Sequence, residues 1–215
     1  MYLTCIVLAA GNSSRLGQMK QLVQYKGITL LERQVDMVLP LADHVTCVLG
    51  FQAEQIPKIN NKKVGYIINS QWQQGLSSSI VAALSELPEQ TTHIMLLLSD
   101  QWRVSTSDCL QLKSIAQEQN QAIVVAGKNS ESKQLFSPPV VIPRCYFEEL
   151  ALLTGEGGAK TVIQKHISDV VSVDMPCAFD DLDTPEDLQH YKKQIRKEKE
   201  LSNDQVKRKW QGSSV

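Results

Sequence analysis

Residues 3–9, Leu-Thr-Cys-Ile-Val-Leu-Ala, form an apolar run without regular polar alternation, and the run gives way to the glycine-punctuated stretch from Ala10 to Lys20. A strand without alternation is buried on both faces, as central strands are in parallel sheets covered by helices. The following loop therefore leaves from the carboxyl end of such a strand. Open α/β sheets bind ligands at that end, and small residues there let backbone N–H groups approach phosphate oxygens closely. One feature thus constrains the fold class and the chemistry together: an α/β sheet carrying an anion loop, with Arg15 and Lys20 in the loop.

The rest of the chain keeps the same rhythm. Strand-length apolar runs are expected at 3–9, 45–49, 65–68, 93–98, 122–126, 139–142 and 170–173. Amphipathic helices are expected at 28–39, 78–87 and 106–119, the third capped from Ser105 to Asp108. A further helix is expected over 144–153, then a turn at Gly155-Glu156-Gly157-Gly158 and a helix through Val162 and Ile163. A last helix opens at Asp183-Thr184-Pro185 and runs toward Lys199. Strands alternating with helices predict a mostly parallel α/β sheet, and 215 residues suit one domain.

Composition narrows the partners. The formal net charge is −1, which gives no drive toward nucleic acid or an anionic membrane. Residues 1–189 carry 14 basic against 20 acidic side chains and residues 190–215 carry 8 against 3, so the basic excess lies in the tail. The expected division is a domain over 1–200 and a polar, basic, disordered tail over 201–215. The start has no basic region ahead of its short apolar run, and no run reaches the roughly 20 apolar residues a bilayer requires, so a cytoplasmic protein is expected. Cys5, Cys47, Cys109, Cys145 and Cys177 are scattered and read as reduced thiols; His44, His93, His166 and His190 show no metal-ligand spacing.

The loop is not either of two familiar phosphate loops. Five residues separate Gly11 from Gly17 and the lysine follows three later, which breaks the G-x-x-x-x-G-K-[ST] pattern, and G-x-G-x-x-G is absent. Leu8-Ala9-Ala10-Gly11 through Lys20 instead resembles the L-A-A-G-x-S-x-R-x-G-x-x-K signature of nucleotidyltransferases, above all the molybdenum cofactor cytidylyltransferase family. Three further segments carry the resemblance. Ser99-Asp100-Gln101 is similar to a D-Q-P element, Asp181-Leu182-Asp183-Thr184-Pro185-Glu186-Asp187-Leu188 to D-I-D-T-P-E-D-L, and Asn69 to Ser79 to N-x-x-W-x-x-G-x-x-S-S. It spans Leu3 to about Tyr191 and implies a single-domain, Rossmann-like three-layer α/β/α fold of the nucleotide-diphospho-sugar transferase type.

What the resemblance implies for the site is specific. Arg15, Lys20 and Asp100 become the catalytic group; Leu8, Ala9, Ala10, Gly11, Ser14, Arg15, Lys20, Gly75, Ser77, Ser79 and Gln101 the nucleotide contacts; Asp100 and Asp181 the Mg²⁺ ligands. An acid ending a buried strand is costly unless exposed, paired or bound to a cation, which supports Asp100 independently. Asp183 is either a loop organiser or a helix cap. Ala10, where related guanylyl enzymes carry glycine, narrows the base pocket toward a pyrimidine. The expected reaction is transfer of CMP from CTP to the phosphate of molybdenum-bound molybdopterin, releasing pyrophosphate. A recipient molybdoenzyme is the expected protein partner; neither nucleic acid nor membrane is.

The acceptor side departs from the pattern. Trp102 replaces the proline of D-Q-P, Ser137-Pro138 stand before Pro139 where Gly-His is usual, and Glu156 and Lys160 replace an Asp and an Arg. Another phosphorylated acceptor, with cytidylyl or guanylyl transfer, therefore stays open, as does a non-catalytic carrier of the molybdenum cofactor.

Overall fold

The computed structural model describes residues 1–130 and 133–197. The chain order is β1 (Leu3–Ala9), a small hairpin of β2 (Gln24–Tyr25) and β3 (Ile28–Thr29), α1 (Leu30–Val38), β4 (His44–Leu49), β5 (Val64–Ile68), α2 (Leu76–Leu84) and β6 (His93–Leu98). Then follow α3 (Thr106–Glu118), β7 (Ile123–Ser130), β8 (Lys133–Pro143), α4 (Phe147–Ala151), α5 (Lys160–Lys165), β9 (Val170–Asp174) and α6 (185–197). The main sheet has the order β5-β4-β1-β6-β8-β7-β9. β8 runs antiparallel to both β6 and β7, and every other pairing in it is parallel. The expected mostly parallel three-layer sheet is what forms.

β1 lies at the switch point, with β4 on one side and β6 on the other. Its odd-numbered residues Leu3, Cys5, Val7 and Ala9 join the core facing α1 and α3, while Ile6 and Leu8 join the core facing α2, α4 and α5. Two apolar faces on one strand explain the missing alternation. Thr4, the polar exception, is satisfied by a 2.9 Å hydrogen bond to Thr91. A third cluster packs Leu16, Val23 and Leu30 against Trp102, Leu182, Tyr191 and Ile195, tying the loop after β1 to the C-terminal helix. The Trp102 ring meets Tyr191 edge to face at 5.1 Å, so the residue that departs from D-Q-P serves as core here.

Several boundaries move. The first helix begins at Leu30, because Ile28–Thr29 pairs in the small hairpin and Thr29 forms a capping box with Glu32. The second starts at Leu76, directly after Gly75, instead of at Ser78. β7 and β8 extend well beyond the expected 122–126 and 139–142: the added end of β7, Lys128–Ser130, is exposed and polar, and that of β8 sets only Leu135 and Phe136 among polar residues, too short an apolar stretch to read as a strand. The expected helix over 144–153 is a 3-10 turn followed by the short α4. The last helix is described to 197; its expected extension to Lys199 and the tail at 201–215 lie outside the described residues. Among the described residues no helix is long and apolar enough to cross a membrane.

Candidate active site

The carboxyl ends of β1 and β6 are adjacent, and the loops leaving them open a cleft of about 560 Å³ lined by Leu8, Ala9, Gly11–Arg15, Lys20, Gln21, Leu76, Ser99, Asp100, Glu156, Asp181 and Asp183. A second lobe of about 520 Å³ continues from it past Leu8, Gly11 and Leu76 to Ala10, Trp72, Gln73, Gly75 and Ser79. A third, smaller and largely apolar recess of about 190 Å³ adjoins Leu8 and Leu76, with Ile80, Phe136, Pro138 and Ile163 in its walls and Lys160 and Ser137 as its polar side chains. A groove of about 600 Å³ lies at the amino-terminal ends of β7 and β9. Open α/β sheets bind at the other end, and the one acid lining that groove, Asp169, is engaged by Tyr146.

Lys20 is the hub of the charged lobe. Its Nζ donates to Asp100 at 2.7 Å and also to Asp183, whose other oxygen accepts from Arg15 at 2.8 Å. Burial pulls the Lys20 ammonium toward neutrality, but the charge and hydrogen bond of Asp100, helped by Asp183, outweigh burial and hold its pKa above the ordinary lysine value. Arg15 is different. Its side chain is 71% exposed, and a surface ion pair of that kind contributes only about 0–1 kcal/mol, so a stronger anion can take it from Asp183 at little cost.

Asp181 is the uncompensated member. Its Oδ1 is buried with no hydrogen-bond partner, and burial, then the charges of Asp100 and Asp183, push its pKa up to about 7, against the opposing pull of Lys20. Lining the cleft are four carboxylates (Asp100, Glu156, Asp181 and Asp183) and two cations (Arg15 and Lys20). A triphosphate entering alone meets a net negative wall; one arriving with a divalent cation does not. The orphaned oxygen of Asp181 beside Asp100 suits such a cation, which takes one or two carboxylates together with phosphate oxygens and water. Among the described residues no preassembled group of three acid, histidine or cysteine ligands stands ready for a metal, and Lys20 bridges Asp100 and Asp183.

The segment at 181–188 resolves the question of Asp183. The cap of α6 is a box between Thr184 and Asp187: Asp187 Oδ2 accepts from the Asp183 and Thr184 backbone N–H groups, while Thr184 Oγ1 accepts from the Asp187 N–H. Capping is thereby handled without the Asp183 side chain. Its carboxylate is left to organise Lys20 and Arg15, and the two ends of the site meet across 163 residues.

Two of the expected nucleotide contacts point elsewhere. Ser77 is fully buried; its Oγ donates to Thr154 O and accepts from Gly158 N–H, both at 3.1 Å, so it ties the start of α2 to the 155–158 turn and does not line the cleft. Gln101 is 1% exposed. Its Nε2 is shared among Ser137 Oγ, Pro138 O and Ala178 O, and its Oε1 accepts from Leu98 N–H. These bonds join the loop bearing Asp100 to β8 and to the turn that leads into Asp181. Both side chains face into the protein because unpaired buried backbone groups there need partners.

The other expected residues are gathered. Leu8, Ala9, Gly11, Ser14, Arg15, Lys20, Asp100 and Asp181 line the charged lobe, and Leu8, Ala10, Gly11, Gly75 and Ser79 line the second. Ser79 Oγ also accepts from Asn69 at 3.1 Å. Trp72 is half-buried, packs edge to face on Phe51 at 5.6 Å and also lines the second lobe. Gly75 has φ +96°, and a Cβ there would fall 2.7 Å from Gly155 O and 2.8 Å from Glu156 Cδ, so the residue lets the 155–158 turn close over α2. Sequence reasoning missed the place of Glu156, which lines both lobes, and of Gln21 beneath the loop.

Residues 5–178 match the MobA-like NTP transferase domain family. A molybdenum cofactor cytidylyltransferase from Escherichia coli (strain K12) is 31% identical over 98 residues, covering 45% of this chain and 50% of that protein, so the match spans about half of the curated relative. The Rv0371c homolog from mycobacterium sp. strain JC1 superposes with a TM-score of 0.77 at 27% identity, covering 91% of this chain and 97% of that one. Rv0371c from Mycobacterium tuberculosis H37Rv gives 0.74 at 25% identity, with 89% and 98% covered.

Proposed function

The chain belongs to the MobA-like NTP transferase family and is a nucleotidyltransferase, and on that premise we propose that it transfers CMP from CTP to the phosphate of a molybdenum-bound molybdopterin, releasing pyrophosphate. The observation that carries this reading is the meeting of Arg15, Lys20, Asp100, Asp181 and Asp183 in one cleft at the carboxyl ends of β1 and β6. Of the similar proteins, the curated Escherichia coli enzyme is named for cytidylyl transfer to the molybdenum cofactor. The apolar recess beside the second lobe suits a fused ring better than a polyol phosphate.

The nucleophile is a phosphate oxygen that is already anionic, so the protein has little proton transfer to perform. Its work is to bring two anions together and offset the charge that develops. The Gly11–Ser14 loop cradles the triphosphate, and Arg15 and Lys20 exchange Asp183 for the departing pyrophosphate. Ala10, Trp72, Gly75 and Ser79 enclose the base; the Ala10 methyl narrows that lobe toward a pyrimidine. Asp100 and Asp181 are the residues that would hold Mg²⁺, which when bound supplies positive charge to the phosphate oxygens. Lys160 and Ser137 stand at the acceptor recess.

Removing one such charge costs on the order of 10² to 10³ in turnover. Pyrophosphate release from CTP, measured for Lys20→Ala and Asp100→Asn, should fall by that factor while both variants keep their fold. Near-normal release in either would overturn the assignment of roles.

A further inference from the structure

Gln21 is 2% exposed, yet it lines the charged lobe from beneath. Its Nε2 donates to Ala9 O at 2.6 Å and to Gly11 O at 3.1 Å, while Phe51 N–H donates to the carbonyl between them, Ala10 O, at 3.0 Å. Three consecutive carbonyls of the loop are thereby held against the protein. Because a trans peptide unit is planar and carries its N–H opposite its carbonyl, fixing Ala10 O aims the Gly11 N–H the other way, and fixing Gly11 O does the same for the Asn12 N–H. Neither of those N–H groups has a protein partner among the described residues.

The orientation of the amide follows from its surroundings. Gln21 Oε1 is buried without a donor, but the flipped amide would set that oxygen against the Ala9 and Gly11 carbonyls. An unpaired carbonyl oxygen turned into the cleft would in turn repel a phosphate oxygen. Resting on the reading of this cleft as a triphosphate site, we propose that Gln21 is a positioning residue: by holding the Ala9 and Gly11 carbonyls on either side of the one that Phe51 holds, it presents the Asn12 N–H to the nucleotide phosphates. Gln21 touches no phosphate itself, and its influence should scale with the phosphates a ligand carries.

The test uses the full chain and its Gln21→Met variant with three probes in the presence of Mg²⁺: CTP, inorganic pyrophosphate and cytidine. The variant should bind CTP and pyrophosphate about tenfold more weakly, the scale of one or two lost hydrogen bonds, and cytidine unchanged. KM for CTP should rise by the same factor while kcat changes less than about threefold, a split that general loosening of the fold does not produce. Equal binding of CTP by the two proteins, or an equal loss for cytidine and CTP, overturns the proposal. Should Gln21→Met not fold, hydrogen exchange of the wild-type Asn12 amide decides it: CTP must protect it, and lack of protection refutes the proposal. A wild type that binds neither CTP nor pyrophosphate refutes the triphosphate reading itself, a result separable from any effect of Gln21.

Discussion

Asp181→Asn separates what the site costs from what it does. The Asp181 carboxyl titrates at about 7 in the folded chain against an ordinary 3.8, chiefly through burial and then through Asp100 and Asp183. Between those two values the folded state binds more protons than the unfolded state, so stability falls as pH rises through the window. At about 1.4 kcal/mol per pH unit the gross cost above pH 7 is on the order of 4 kcal/mol, and partial solvent exposure reduces it to about 2. Asparagine carries no charge and removes that cost. In cation-free buffer with a chelator, thermal unfolding should place Asp181→Asn roughly 4–8 °C above wild type at pH 8, with the gap closing toward pH 4. The same variant should lose pyrophosphate release. A gap of equal size at pH 4 and pH 8, or a variant less stable at pH 8, would refute the reasoning.

Three other substitutions probe the rest of the cleft. Ser77→Ala removes two buried hydrogen bonds and should cost about 1–3 kcal/mol in urea unfolding while leaving KM for CTP within about twofold; a large rise in KM without lost stability would return Ser77 to the nucleotide. Gly75→Ala forces a Cβ into Gly155 and Glu156 at positive φ and should destabilise by about 1–3 kcal/mol while raising KM for CTP, with unchanged melting and kinetics as the contrary result. Ala10→Gly opens the base lobe and should shift the ratio of kcat/KM for CTP over GTP about tenfold toward GTP, the scale of one methyl group in a pocket; an unmoved ratio would mean that the base is chosen elsewhere.

Much of this architecture was legible because burial leaves a direct imprint. β1 and β6 were readable to their ends, since a strand covered on both faces has no polar side to blur the run. β8 was not: nothing in its composition gives its direction, and its antiparallel course is decided by pairing with β6 and β7. In the site, the offsets of Gly11, Arg15, Gly17 and Lys20 located the loop, because local spacing sets loop geometry. The contact of Asp183 with Lys20 joins segments far apart in sequence, and no local pattern encodes it. Ser77 and Gln101 show the opposite failure. A polar side chain at the ligand-binding end of a sheet reads the same whether it faces the cleft or turns back to satisfy a buried backbone group, and both turn back. Gln21, one residue beyond Lys20, is equally silent in sequence, because its amide too turns back to backbone carbonyls.

The central claim is a transfer reaction, and one assay reaches it: pyrophosphate release by the full chain with CTP or GTP and Mg²⁺, with and without molybdenum-loaded molybdopterin and with a polyol phosphate as comparison acceptor. The account predicts release that needs the pterin, favours CTP over GTP and fails with the polyol phosphate. Binding of nucleotide and pterin without any pyrophosphate, or release driven by the polyol phosphate instead, would contradict it.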